Sequence, residues 1–279
     1  MTRGRIGRES MRAWVMLTLV FLYLPIVVVI AYSFNANDTI VSQWTGFTVE
    51  WYWRAFEGTG ALEAMGTSLR IAVVNAVLSM IFGTLAAVGL RFAPRWIRVG
   101  FDTLAYLTLV TPVLVMGIAS LVAFVIAGIP RGSLTILVIH VVFNSSIVML
   151  IVRARLVGMS PSEEEAAMDL GAGRFSTAMQ VTVPRLMPAI LAGGLLAFTY
   201  SWDDYVIASF VSGAQTTTLP MYIFGQLRFG VSPEVNVLAV VTLLVTLLGL
   251  LLVLLILRRI LGRSGLAQLT PIDMARDEA

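Results

Sequence analysis

The chain contains no cysteine, no lysine and a single histidine, His140. Without cysteine there are no disulfides, no thiolate nucleophile and no cysteine-ligated metal. Without lysine there is no G-x-x-x-x-G-K-[ST] phosphate loop, so the chain cannot itself be an ATPase of that type. One histidine leaves little for a metal site or for histidine acid–base chemistry; packing between helices is its plainer use. Charge is scarce as well: 13% of residues are charged and 58% hydrophobic, against about a quarter and about half in soluble domains. A mean hydropathy of +0.89 completes the case for an integral membrane protein. The net charge of only +3 marks no nucleic-acid partner, and lipid is the expected surrounding.

Apolar runs long enough to cross a hydrocarbon core of about 30 Å, which takes about 20 helical residues, fall near 13–33, 68–90, 101–127, 134–152, 189–211 and 235–257. The expectation is all-α, a polytopic protein of six transmembrane helices. Arginine sets its orientation. Arg3, Arg5, Arg8 and Arg12 precede the first run; Arg91, Arg95 and Arg98 separate the second from the third. Arg153, Arg155, Arg174 and Arg185 lie between the fourth and fifth, and Arg258, Arg259, Arg263 and Arg276 follow the sixth. The other connections hold only Arg54, Arg70, Arg131 and Arg228. By the positive-inside rule both termini and the connection at about 153–188 face the cytoplasm. The first run, Ala13 to Ser33, is about twice the length of a signal-peptide core and lacks a small-x-small exit, so it reads as a retained helix. Between Asn35 and Gly66, Trp44, Trp51, Tyr52 and Trp53 stand among turn formers. Such aromatics favour a membrane interface, so this segment is expected along the outer surface. The whole chain, 1–279, is expected to be one transmembrane domain with a polar tail from about 262.

The fourth-to-fifth connection carries readable local chemistry. Ser160-Pro161-Ser162-Glu163 offers a capping serine, proline at the first helical position and glutamate three residues after the cap. Glu163, Glu164 and Glu165 follow in the first turns, where carboxylates suit the positive end of the helix dipole. Ala166, Ala167 and Leu170 recur at helical spacing, and Gly171 or Gly173 can supply the left-handed residue that ends the helix. Pro184 and Pro188 are expected to break the path before the chain re-enters the membrane. The product is a short exposed helix with small side chains on one face. On these features alone an ordinary capped interfacial helix explains it equally well.

The loop also resembles a known signature. Glu165-Ala166-Ala167, three residues, Gly171, nine residues, then Val181-Thr182-Val183-Pro184 is similar to the E-A-A-x3-G-x9-I-x-L-P loop of permeases from binding-protein-dependent ABC importers, with valine for the isoleucine and the leucine. The resemblance implies the type I ABC importer permease fold, with the last five helices as its shared core. It implies that Glu165, Ala166, Ala167, Gly171 and Pro184 belong to a coupling surface that docks on a separate ATPase dimer. ATP and Mg would sit on that partner, and this chain would hold no cofactor and catalyse nothing. A second permease, the same or related, and an extracytoplasmic substrate-binding protein complete the implied set of partners, in a bacterial inner membrane.

In the fifth run, Asp203 and Asp204 lie within apolar sequence, about two thirds of the way to the outer face. Each ionisable group at such depth costs about 2.5–3.5 kcal/mol on insertion scales, so it faces a cavity, a partner or water. Neighbouring helical residues point about 100° apart, so at most one faces a pathway fully while the other takes backbone or a neighbouring helix. Tyr200, Trp202 and Tyr205 could offer ring faces to an organic cation. Such a lining suits an amine and repels phosphate or sulfate. The plainer alternative has both aspartates capping a helix break or joining helices. Ser201-Trp202-Asp203-Asp204, Ser209 to Gly213, Thr218-Leu219-Pro220, Gly230 to Asn236 and Trp44 to Thr48 with Trp51-Tyr52 resemble the polyamine (spermidine/putrescine) branch of these permeases. Trp202 and Val237-Leu238-Ala239 depart from its usual pattern.

Asn75, His140, Asn144 and Asn236 could line a path, although interhelical hydrogen bonds are the commoner use of such residues. Glu234 is explained by helix initiation as well as by cation attraction. Gly83 and Gly89, flanking Ala86 and Ala87, suit close helix packing. Three alternatives stand beside the polyamine importer: an ABC permease for iron or another organic solute, a gradient-driven transporter using Asp203 and Asp204 as ion sites, and an intramembrane enzyme. The single histidine and the absence of cysteine argue against the last.

Overall fold

The computed structural model describes residues 3–37, 43–58, 60–228 and 230–265. Every regular element among them is helical: α1 (Arg3–Tyr32), α2 (Trp51–Arg54), α3 (Gly60–Gly89), α4 (Arg95–Val110), α5 (Val113–Ile126), α6 (Ser133–Val157), α7 (Ser162–Asp169), α8 (Arg174–Thr177), a π-helical turn (Ala178–Thr182), α9 (Val183–Trp202), α10 (Val206–Val211), α11 (Leu219–Leu227) and α12 (Pro233–Gly265). Five stretches are long and apolar enough to cross a membrane as single helices, and α4 with α5 forms a bent sixth candidate. The expected polar tail lies outside the described residues beyond Gly265.

Most helices extend beyond the expected apolar runs at one end or both, and two of the runs are interrupted. The run 101–127 is two helices bent by 111°. Pro112 forces its predecessor out of the helical region, and Thr111 adopts φ −65°, ψ 126°. The run 189–211 starts earlier, at Val183, and stops at Trp202; residues 203–205 are non-helical before α10 begins. Pro184 sits in the first turn of α9 and Pro188 inside it, so neither breaks the path. The irregularity falls instead on the π-helical turn just before them.

The contacts divide the chain into two compact units, Met1–Glu63 with Met221–Val245 and Ala64–Pro220 with Thr246–Ala279. In the first, the segment after α1 folds around the buried side chain of Asn35. Its Nδ2 donates to the Gln43 carbonyl at 2.8 Å and its Oδ1 accepts from the Thr45 N–H at 3.1 Å. Trp51 Nε1 donates to the Asn35 carbonyl at 2.7 Å. Phe34 stacks on Phe47 with centroids 5.0 Å apart. Trp44, Phe47 and Trp53 stay exposed, as interfacial aromatics do. The apolar window of α1 buries nothing, which only an apolar surrounding tolerates.

The second unit is built on α6 lying along α9, with α4 on α6 and α10 on α5. Val148, Met149 and Val152 of α6 meet Leu186, Ile190 and Ala197 of α9 in its core. Close approach is achieved with small residues, the usual device between apolar helices. A Cβ on Gly83 would lie 2.6 Å from Val148 Cβ and 2.8 Å from the Ser145 carbonyl oxygen. Gly89, by contrast, has nothing within 4 Å, so it does not share that packing role.

Candidate functional site

Two places in the second unit carry organised polar chemistry. The first is α7 and its surroundings. The helix starts at Ser162, one residue later than expected, and the Ser160 hydroxyl still accepts the Ser162 N–H at 3.4 Å. It ends in a Schellman motif: the Gly171 N–H reaches the Met168 carbonyl at 2.9 Å and the Ala172 N–H the Ala167 carbonyl at 3.0 Å. Gly171 has φ +89° and Gly173 has φ −69°, so Gly171 alone is the left-handed terminator.

The three glutamates diverge. Glu165 is exposed, as are Ala166, Gly171 and Pro184, while Ala167 is half-buried. Glu163 forms an exposed ion pair with Arg185 at 3.1 Å. Glu164 turns inward. Arg91 Nη1 and Nη2 donate to its two carboxylate oxygens at 2.9 and 3.1 Å, the bidentate geometry that suits guanidinium. Thr182 Oγ1 donates to the same carboxylate at 2.8 Å. The Arg91 hydrogen bonds, aided by Thr182 and by the nearby charges of Arg91 and Arg185, hold the Glu164 carboxyl below the ordinary glutamate range despite partial burial. Around this tethered base, Leu170 is 91% exposed and Phe175 76%, with Met168 and Met179 also open. Met168 and Leu170 lie outside the candidate spans, where apolar side chains this exposed mark an interaction surface, whereas Phe175 and Met179 fall within the candidate span Arg174–Trp202.

The second place is the break between α9 and α10. Asp204 is nearly enclosed, its Oδ1 accepting from the Ile207 N–H at 3.2 Å and its Oδ2 from the Ala208 N–H at 2.7 Å. Its Oδ2 also lies 3.2 Å from His140 Nε2, and His140 Nδ1 lies 2.8 Å from Ser201 Oγ. The tautomer with hydrogen on Nε2 donates to the Asp204 carboxylate and leaves Nδ1 to accept from the serine hydroxyl. Asp203 is exposed. Of the three rings expected to face a cation, Tyr200 is exposed and set edge-on to Phe143, and Tyr205 is half-buried. Trp202 is fully buried and stacked on Phe198 with centroids 6.2 Å apart, so it offers no face in this conformation.

One turn along α6 from His140, Asn144 donates to Asn75 Oδ1 at 3.3 Å. Asn75 in turn donates to the Ala197 carbonyl at 2.8 Å and accepts from Ser79. These residues join α3, α6 and α9 by hydrogen bonds. Among the described residues, no three His, Asp or Glu side chains are grouped so as to hold a metal. Sequence reasoning missed Glu164, Arg91, Thr182 and Ser201 as site residues. A triplet of glutamates at a helix start, on three different headings, was the available signal for Glu164.

The second unit thus combines a membrane helix core with an exposed short helix tied back to it, the arrangement of an importer permease. The same fold recurs in a solved chain of a bacterial ABC transporter importing the acidic polysaccharide alginate, with a TM-score of 0.70, 18% identity and coverage of 93% of this chain and 98% of that one. A chain of the MetNI methionine ABC transporter superposes with a TM-score of 0.61 and 15% identity over 71% of this chain and 95% of that one. Residues 79–264 match the family "Binding-protein-dependent transport system inner membrane component", and this chain belongs to that family. It is similar to the putrescine transport system permease protein PotI of Escherichia coli K12, 43% identical over 230 residues, 80% of this chain and 82% of that protein. It is 36% identical to the spermidine/putrescine permease protein PotC of the same organism over 242 residues, 86% of this chain and 90% of that one. The PotC protein of Haemophilus influenzae is 35% identical over 233 residues, 83% and 90% of the two chains. The chain is therefore a multi-pass inner-membrane transport subunit, not an enzyme, and a component of a binding-protein-dependent system. Membership in that family sets aside the gradient-driven transporter and the intramembrane enzyme.

Proposed function

We propose that this chain is the permease through which a polyamine, putrescine or spermidine, enters the cell in an ATP-driven importer. The observation that carries the cargo is the 43% identity, over four-fifths of the chain, to a putrescine permease. The open carboxylate of Asp203 supports it, since a diamine needs anionic and aromatic partners and Tyr200 and Tyr205 stand close in sequence. Asp204 and Trp202 then support the break from behind rather than touch cargo. Residues 1–279 act as one permease domain, with both termini and α7 on the cytoplasmic side. ATP and Mg bind a separate ATPase dimer, which docks on Glu165, Ala166, Ala167 and Gly171 together with exposed Leu170 and Phe175. A second permease completes the pathway and an extracytoplasmic binding protein delivers the solute.

The test is uptake of radiolabelled putrescine and spermidine by cells lacking other polyamine importers and expressing the full complex, with iron and other amines as competitors. Saturable putrescine uptake that unlabelled spermidine inhibits is expected. Uptake of another solute class with no polyamine uptake would overturn the cargo. Asp203→Asn should lower uptake about tenfold, the range of a lost charge contact, with the complex still assembled; unchanged uptake removes Asp203 from the pathway.

A further inference from the structure

Glu164 sits where three parts of the second unit converge: the coupling helix α7, the turn just after α3 through Arg91, and the π-helical turn leading into α9 through Thr182. Its side chain is 15% exposed and takes three hydrogen bonds from those two neighbours, at 2.9, 3.1 and 2.8 Å. Thr182 is buried and is the last residue of the π-helical turn. Such turns carry one residue more per hydrogen-bonded ring than an α-helix and often occur at functional sites. Apart from the Glu164 bonds and the exposed Glu163–Arg185 ion pair, α7 is joined to α9 by non-helical residues 170–173, a four-residue helix and that loose turn. Without the Glu164 bonds, displacement of α7 would be absorbed by the linker before reaching the membrane helices.

We propose that the Glu164–Arg91–Thr182 cluster is the transmission latch of the permease: it makes α7, the turn just after α3 and the start of α9 move as one body, so that force on α7 reaches the pathway. Glu165, one position on, faces outward and is free for the ATPase, while Glu164 faces inward and carries the load. Arg91 and Thr182 are positioning residues acting through Glu164. The inference rests on the importer reading above. A guanidinium fork and a hydroxyl on one carboxylate form a directional joint, unlike apolar packing, and a rigid element shared by two sites is what coupling requires.

Absence of native cysteine allows a test that needs no substrate. Phe92→Cys and Gly173→Cys place spin labels at exposed positions beside Arg91 and after α7, and a Cβ on Gly173 meets nothing within 4 Å. In the full complex in lipid nanodiscs, electron–electron resonance should give one narrow distance distribution, the same with and without ATP. Adding Glu164→Arg should broaden or split it, and Glu164→Arg with Arg91→Glu should narrow it again. An unbroadened distribution in Glu164→Arg, with the ATPase still bound, overturns the latch.

Uptake supplies the second reading. Putrescine transported per ATP hydrolysed should fall about tenfold in each single reversal, within the usual span of about 5- to 150-fold for coupled sites, and recover in the double reversal. If the reversals fail to assemble, the near-isosteric Glu164→Gln and Thr182→Val should show the same loss to a smaller degree; unaltered coupling in both also overturns the latch. A wild-type complex that shows the nucleotide-independent distance but no putrescine uptake refutes the cargo and leaves the latch standing.

Discussion

Glu164 and Glu165 are adjacent and chemically identical, yet their surroundings assign them opposite duties. The bonds from Arg91 and Thr182 favour the ionised form of Glu164 in the folded protein, so its folded-state pKa lies below its unfolded one. The sign follows from linkage. Its stabilising contribution is complete above the ordinary glutamate range. It shrinks as pH falls below that range, because the unfolded chain takes up the proton first, and it is gone once pH passes below the lowered folded-state value. The thermal stability gap between wild type and Glu164→Gln should therefore be constant from neutral pH down to the ordinary glutamate range and close only beneath it. A gap that widens on acidification would contradict the ion pair. Gly171 makes a different residue-scale case: with φ +89° and nothing near its missing Cβ, the cost of Gly171→Ala is purely conformational, about 1–2 kcal/mol. ATPase co-purification should weaken for Gly171→Ala and less for Gly171→Asn, which tolerates the left-handed region. Equal association for all three would show that the Schellman ending does not shape the docking face.

At the scale of elements, the packing of α3, α6 and α9 was legible only in part from sequence. Hydrophobic run lengths revealed the long helices, because crossing a membrane demands about 20 apolar residues whatever the fold. They did not reveal the bend at Pro112 or the break at Asp203, since both interrupt runs that stay apolar. The pair Gly83 and Gly89 shows the same limit. Both stand in α3 with small neighbours, and only the position of α6 distinguishes them. Gly83→Ala forces a Cβ to 2.8 Å from a backbone oxygen on α6, where nothing can rotate away, and overpacking of this kind costs about 1–3 kcal/mol. Gly89→Ala meets open space and replaces glycine with a better helix former. Detergent-solubilised Gly83→Ala should melt lower than wild type while Gly89→Ala melts at the same temperature or slightly higher. The site was legible in similar measure: the E-A-A spacing and the Asp203–Asp204 pair were visible in one dimension, whereas which carboxylate turns inward depends on Arg91 and His140, 73 and 64 residues away.

At the scale of the whole molecule, the Glu164–Arg91 ion pair also bears on how many times the chain crosses the membrane: five helices are single-span candidates, with a sixth if the bent pair is one span. Its 2.9 Å contact puts the α3–α4 connection and α7 on one face. The 25 residues of α6 are a full span, so the start of α6 lies on the opposite face from α7. A change of sides between Arg95 and Ile126 would make the bent pair α4–α5, which its 111° bend alone leaves as either a broken span or a re-entrant hairpin, one crossing. On the orientation proposed above, six crossings would return both termini to the face that holds α7, which the positive-inside rule would make cytoplasmic. A re-entrant pair would leave five crossings and place the termini on opposite sides. Single cysteines in this cysteine-free chain distinguish the two. Phe92→Cys and Gly173→Cys should react with a membrane-impermeant maleimide only in inverted vesicles, and Ile129→Cys and Ala214→Cys only in intact spheroplasts. Labelling of Ile129→Cys from the same side as Phe92→Cys would restore the hairpin, and labelling of Gly173→Cys from outside would reverse the orientation and with it the docking of any cytoplasmic ATPase on α7.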